Sequence, residues 1–173
     1  KKNNLLLSKY LNKNAISKIN FSAINFDNIK KGSSIKVKFG VGDLNNELEE
    51  INNISKKYQD ISLRIDFNRL CDLKDAIIIC NKLKECNIDY IEEPLKSSLT
   101  KDYLSLQKAT HLPIALDESV IDGSYQELVN LNLIDYIVLK PSLFGGIKKI
   151  NQLNEYLYKN NVKLVISSSF QTK

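Results

Sequence analysis

Methionine is absent from all 173 residues, even from position 1, where the chain opens on Lys1. That absence, together with an end at "VISSSFQTK" just after a strand-like run, points to a piece of a longer gene product. Histidine occurs once, at His111, ahead of the apolar run "LPIAL". A single imidazole with no recognisable partner rules out a Ser–His–Asp triad, a Cys–His pair or a histidine-based zinc site as the chemistry here. Acids and bases must therefore be Lys, Asp or Glu. Cys71, Cys80 and Cys86 are odd in number and lack metal-ligand spacing, so reduced, buried thiols are expected.

Arginine is nearly missing too. Arg64 and Arg69 stand against 23 lysines, 20 asparagines and abundant isoleucine, the profile of AT-rich coding. A nucleic-acid surface clusters its basic residues and uses arginine for bidentate contacts. Here the net charge of +5 arises from lysines scattered among 20 acids, so no nucleic-acid partner is expected. No apolar run approaches the roughly 18 residues of a membrane span, and three leucines at 5–7 are too few for a secretory signal core. A soluble protein with no membrane partner is the expectation.

What is present is a regular alternation. β-rich runs at 18–24, 34–39, 61–66, 88–92, 113–117, 134–140 and 162–167 are separated by amphipathic stretches at 43–58, 73–86, 101–109, 124–131 and 145–160. In the first of these Asp43 can cap a helix whose Leu44, Leu48, Ile51, Ile54 and Tyr58 keep helical spacing. Strand–helix alternation implies parallel strands with right-handed crossovers, which an open doubly wound sheet and a closed barrel both satisfy. The polar residues favour the barrel. Lys38, Asp66, Glu92, Asp117, Lys140 and Ser167 each end an apolar run, at spacings of 28, 26, 25, 23 and 27 residues, about one βα unit apiece. The C-terminal strand ends of a βα barrel meet at one mouth, where catalytic groups gather.

Three carboxylates on consecutive strand ends would repel one another unless a cation lay between them. Oxygen-only ligands suit a hard ion such as Mg²⁺. Read singly, each acid could equally be a helix cap or a surface group. Lys38 and Lys140 would flank the ion from opposite sides. Lys36, two residues from Lys38, shares its strand face, so the pair either lines a wet surface or faces an enclosed site. In the second case Lys36 and the ion together help to discharge Lys38, which suits it to act as a base. Glu93 and Glu118, next to two of the acids, should turn to the opposite side. A metal between carboxylates with lysines around it suits proton removal beside a substrate carboxylate.

The motifs "IKVKFG", "LRIDFNR", "YIEEPL", "ALDES", "VLKPSLFGG" and "VISSS" stand in the order and spacing of the enolase superfamily, which the chain resembles from about residue 18 to 170. Within its lysine-based, muconate-cycloisomerase-like branch, "KPSLFGG" with "SSS" is most similar to the o-succinylbenzoate synthases. The resemblance implies an α/β fold, a TIM-like (β/α) barrel left incomplete. Residues 1–17 would be the remnant of a segment preceding the barrel, and 18–173 a partial catalytic barrel without the capping domain or the last strand. It implies Mg²⁺, or Mn²⁺ in its place, on Asp66, Glu92 and Asp117, with Lys38 as the base that later protonates the departing hydroxyl. Lys140 would be the opposed cation, Arg64 and Asn68 outer supports, and Ser167, Ser168 and Ser169 the lining for the succinyl end of a small carboxylate substrate. The implied activity is dehydration of 2-succinyl-6-hydroxy-2,4-cyclohexadiene-1-carboxylate in menaquinone or phylloquinone biosynthesis, in cytoplasm or plastid stroma. An N-acylamino acid racemase or another lysine-based enzyme of the same superfamily, or an inactive barrel fragment, are the alternatives; the oligomeric state is left open.

Overall fold

The computed structural model describes Lys9, Asn14, Ser22–Ala23 and residues 31–121 and 123–168. Its strands are β1 (Ser22–Ala23), β2 (Ser34–Lys38), β3 (Ser62–Asp66), β4 (Ile88–Glu92), β5 (Ile114–Leu116), β6 (Tyr136–Leu139) and β7 (Lys163–Ile166). All pair in parallel and in chain order, each beside the next. The helices between them are α1 (Leu44–Lys57), α2 (Leu73–Lys82), α3 (Thr100–Thr110), α4 (Glu118–Ile121), α5 (Tyr125–Asn130) and α6 (Ile147–Lys159). Among the described residues the sheet stays open between β1 and β7, so the architecture is a partial βα barrel. Most of the run expected at 18–24 lies outside the described residues. The short helix α4 has no counterpart in the sequence pattern.

Local chemistry accounts for the element boundaries. The Asp43 side chain accepts from the backbone N–H groups of Asn45 and Asn46 at 3.1 and 3.0 Å and starts α1; such a cap is worth about 1 kcal/mol. Asp72 does the same for α2 through Asp75, at 3.0 Å. His111 closes α3 in the left-handed region (φ 56°), donating its backbone N–H to the Gln107 carbonyl, so its visible part is structural.

Period two sorts each strand into two faces. Ile35, Leu63, Ile65, Ile91, Ile114, Leu116, Ile137 and Leu139 pack outward against Leu48, Ile51, Ile79, Leu106, Leu153 and Leu157 of the helices. The three cysteines are free and buried in the same layer, and burial pushes the Cys80 thiol up to about 12, which leaves it inert at neutral pH. The inner face holds only a small apolar cluster of Tyr90, Ala115 and Val138, with Tyr136 and Val165 against it. The other described positions on that face are polar, such as Ser34 and Ser62, or charged, and the charged ones carry the candidate chemistry.

One glycine fixes the exit from β2. Gly40 has φ +83°, and a Cβ there would lie 1.9 Å from Leu70 Cδ2. Gly40→Ala is therefore expected to cost about 1–2 kcal/mol from the left-handed backbone alone, read as a lower midpoint in urea unfolding.

Candidate active site

The rim at the C-terminal strand ends is built by register. Lys38 pairs with Asp66, and Asp66 with Glu92, each the last residue of its strand. Asp117, Lys140 and Ser167 directly follow β5, β6 and β7. Backbone bonds continue past the strands and knit the rim together: Phe39 N–H to the Asp66 carbonyl at 2.9 Å, Phe67 N–H to Glu92 at 2.9 Å, Glu93 N–H to Ala115 at 3.0 Å. All six residues picked from the strand ends thus stand on one edge of the sheet.

The three acids are 6% (Asp66), 1% (Glu92) and 5% (Asp117) exposed. Charges buried to that degree need partners. Lys36 Nζ lies 2.8 Å from Asp66 Oδ2 and 2.9 Å from Glu92 Oε1, and Lys140 Nζ is hydrogen-bonded to Asp117 Oδ2. Burial by itself would lower the pKa of Lys36, but the charge of Glu92 and hydrogen bonds to both acids outweigh it and hold the ammonium above its ordinary range. Burial, then the charge of Asp66, raises Glu92 to about 7 against the opposing pull of Lys36, and Asp117 adds to the rise. Among the described residues, Glu92 Oε2 is buried with no hydrogen-bond partner.

An all-oxygen set of this kind, with one buried oxygen left over, fits a hard divalent cation. Among the described residues the acids are not drawn into a ready-made ion cage. They are held by the two lysines, whose ammonium groups a metal would have to displace from Asp66, Glu92 and Asp117.

This geometry changes the part assigned to Lys36. Read from sequence, Lys36 is a repelling neighbour of Lys38; here its ammonium reaches up the face onto two carboxylates, which offset its charge. Lys38 stands exposed at the strand end beside Asp66. The loop after it is clasped by Glu47, whose carboxylate accepts the backbone N–H groups of Gly40, Val41 and Gly42. Asn68 is exposed and touches Asp66 through its backbone, N–H to Oδ1 at 3.1 Å. Arg64 lies one layer below the acids, in register with Lys36, and gives its Nε to Asp89 at 2.8 Å while covering the Tyr90 ring. Its support is thus for the barrel interior; its bond goes to Asp89, not to the acids. Ser167 is half-buried at the rim, Ser168 is exposed, and Ser169 lies outside the described residues.

One residue bonded to the rim went unrecognised in the sequence. Glu93 directly follows β4 in left-handed backbone (φ 44°), and its carboxylate accepts the backbone N–H of Asp117 at 2.9 Å. The available signal was Arg69, one of the chain's two arginines, which binds Glu93 at 3.1 Å.

Parallel βα units with acids and lysines gathered on their C-terminal rim define a candidate centre of the βα-barrel type. The chain belongs to the Enolase C-terminal domain-like family, whose sequence profile matches residues 30–172. It is 30% identical over 140 residues to the o-succinylbenzoate synthase of Aliivibrio fischeri strain MJ11, covering 79% of this chain and 42% of that protein. The L-Ala-D/L-Glu epimerase of Bacillus subtilis, solved with its substrate, superposes with a TM-score of 0.71 at 25% identity, over 82% of this chain and 41% of that one. MenC from Desulfotalea psychrophila LSv54 has the same fold, with a TM-score of 0.70 at 24% identity over 82% and 41%. The chain spans less than half the length of the curated relatives it matches. No helix among the described residues is long and apolar enough to cross a membrane.

Proposed function

We propose that this chain forms the catalytic barrel portion of an o-succinylbenzoate synthase, a lyase that removes water from 2-succinyl-6-hydroxy-2,4-cyclohexadiene-1-carboxylate to give 2-succinylbenzoate. The observation that carries the reading is the rim itself: three buried acids on consecutive strands, with Lys36, Lys38 and Lys140 around them. The synthase relatives favour this member of the family over others.

Asp66, Glu92 and Asp117 would hold Mg²⁺, or Mn²⁺ in its place. Bound there, the ion supplies positive charge for the substrate carboxylate and for the negative charge that spreads onto it as the adjacent C–H bond breaks. Lys38, exposed on the rim, takes that proton and returns one to the hydroxyl as the C–O bond breaks. Water leaves and the ring becomes aromatic, so the lysine ends as it began. Lys140 stays an ammonium on the other flank, steadying Asp117 and the developing charge. Lys36 offsets part of the charge of Asp66 and Glu92. Ser167 and Ser168 offer hydroxyls toward the distal, succinyl end of the substrate.

The lysines from β2 and after β6 flank the acids on two sides, which also supports a second reading: a racemase that removes a proton from one face and returns it from the other. One experiment separates them. The protein carrying this chain is assayed with Mg²⁺ for loss of the cyclohexadiene chromophore and, in parallel, for racemisation of an N-acylamino acid. Dehydration at kcat/KM well above racemisation is expected; the reverse order would replace the synthase with the racemase.

A further inference from the structure

Asp117 stands just beyond the last residue of β5, where the β4–β5 ladder has already ended at Glu92 and Ala115. A β4 that continued straight would supply acceptors for the next N–H groups. Instead the backbone turns at Glu93 (φ 44°), directly before Pro94. The Glu93 carboxylate takes over that duty: Oε1 accepts from Asp117 N–H at 2.9 Å and from Ser119 N–H at 2.8 Å. Oε2 accepts from Ser119 Oγ at 2.9 Å and from Arg69 Nε at 3.1 Å. Arg69 also donates Nη2 to Ser119 Oγ at 2.7 Å and its own backbone N–H to the Glu93 carbonyl at 2.8 Å.

A 0%-exposed carboxylate thus receives four hydrogen bonds, one of them from a guanidinium, and ties the exits of β3, β4 and β5 together. Arg69 and Glu93 both hold left-handed backbone, at φ 58° and 44°, which costs roughly 1–2 kcal/mol per residue outside glycine. Strain of that kind persists where surrounding bonds over-determine it, and it gathers at functional sites. The arrangement acts on the one rim acid whose backbone lies outside the ladder.

We propose that Arg69, Glu93 and Ser119 are positioning residues that fix the direction of Asp117 and so set the affinity of the acid cluster for a divalent cation. The inference rests on the metal-binding reading above. The chemistry of the bonds makes it specific. Glutamine in place of Glu93 keeps the shape but brings an NH₂ group, which must face either two backbone N–H donors or the guanidinium and the Ser119 hydroxyl; only that hydroxyl can accept from it, so in either orientation a donor is left facing a donor.

The test uses the protein carrying this chain and Mn²⁺ alone as probe, followed by electron paramagnetic resonance and by titration. Wild type is expected to bind one Mn²⁺, Asp117→Asn to bind it poorly, and Glu93→Gln to bind it roughly 10–100-fold more weakly, the loss typical of outer supports to a metal site. The bound-Mn²⁺ line shape of Glu93→Gln should also differ from wild type, which a purely structural role in a folded protein would not produce. If Glu93→Gln fails to fold, Arg69→Lys carries the same test, since a single ammonium cannot span Glu93 and Ser119 as the fork does; a several-fold loss is expected. Wild-type affinity and line shape in the folded variant, with Asp117→Asn impaired, would overturn the positioning role while leaving the metal centre standing. Absence of stoichiometric Mn²⁺ binding by wild type, or no effect of Asp117→Asn, would overturn the metal centre itself and this inference with it.

Discussion

Lys38→Ala is expected to abolish turnover and, with it, exchange of the substrate's acidic hydrogen with solvent deuterium, followed by proton NMR in D₂O. A positioned general base contributes typically about 10²–10⁴-fold, and in the proposed reaction the same amine also protonates the leaving hydroxyl, so the loss should sit at or beyond the upper end. The proposed reaction gives Lys140, which is paired with Asp117, a different task, to remain charged. Lys140→Arg keeps a cation with altered geometry and should retain more kcat than Lys140→Ala. Exchange that survives in Lys38→Ala but vanishes in Lys36→Ala would move the base two residues back along β2.

The second large effect concerns the acids. Asp66→Asn, Glu92→Gln and Asp117→Asn should each lower Mg²⁺ affinity by about 100-fold or more, exceeding the roughly 10–100-fold expected of outer supports. Calorimetric titration measures it. Glu92 adds a signature in pH. Burial and the charge of Asp66 raise it from 4.5 to about 7 in the folded protein, so between those values the folded state holds a proton that the unfolded state has released. Stability in chelator therefore falls as pH rises from about 4.5 to about 7, and the penalty is complete above that. A displacement of this size corresponds to on the order of 3 kcal/mol. Glu92→Gln should accordingly melt higher than wild type at pH 8 in chelator, and lose that advantage as the pH is brought below about 4.5. Added Mg²⁺ should invert the order at pH 8, because it stabilises only the protein that binds it. A wild type that melts higher than Glu92→Gln in chelator at pH 8 would show that Lys36 alone offsets the burial of Glu92.

Much of this was open to reading from residues in order. Period two in "SIKVK" and "SLRID" and helical spacing in 43–58 depend on neighbours a few positions apart, and the elements form where those patterns place them, with Asp43 as the cap. The recurrence of a polar residue every 23–28 positions, after an apolar run, is one βα unit of chain, and it is enough to bring Asp66, Glu92, Asp117 and Lys140 to one rim. The sequence by itself therefore determined the parallel order of the strands, the face that is charged and the identity of the acids.

Tertiary structure decided the pairings. Lys36 and Lys38 lie on the same face, about 6.6 Å apart along the strand, and no local rule says which meets the acids. The register of β2 on β3 sets Lys38 level with Asp66 at the open rim, while the long stem of Lys36 climbs from the layer below to both carboxylates. Arg64, on that same lower layer, meets Asp89, which follows the irregularity between Leu63 and Arg64 in the β3–β4 pairing. Glu93 escaped the pattern because its backbone leaves the strand at φ 44°, and its partners Arg69, Asp117 and Ser119 are 24 or more residues away. Spacing in a chain is a property of neighbours, whereas a hydrogen bond across three strand ends exists only once those ends are side by side.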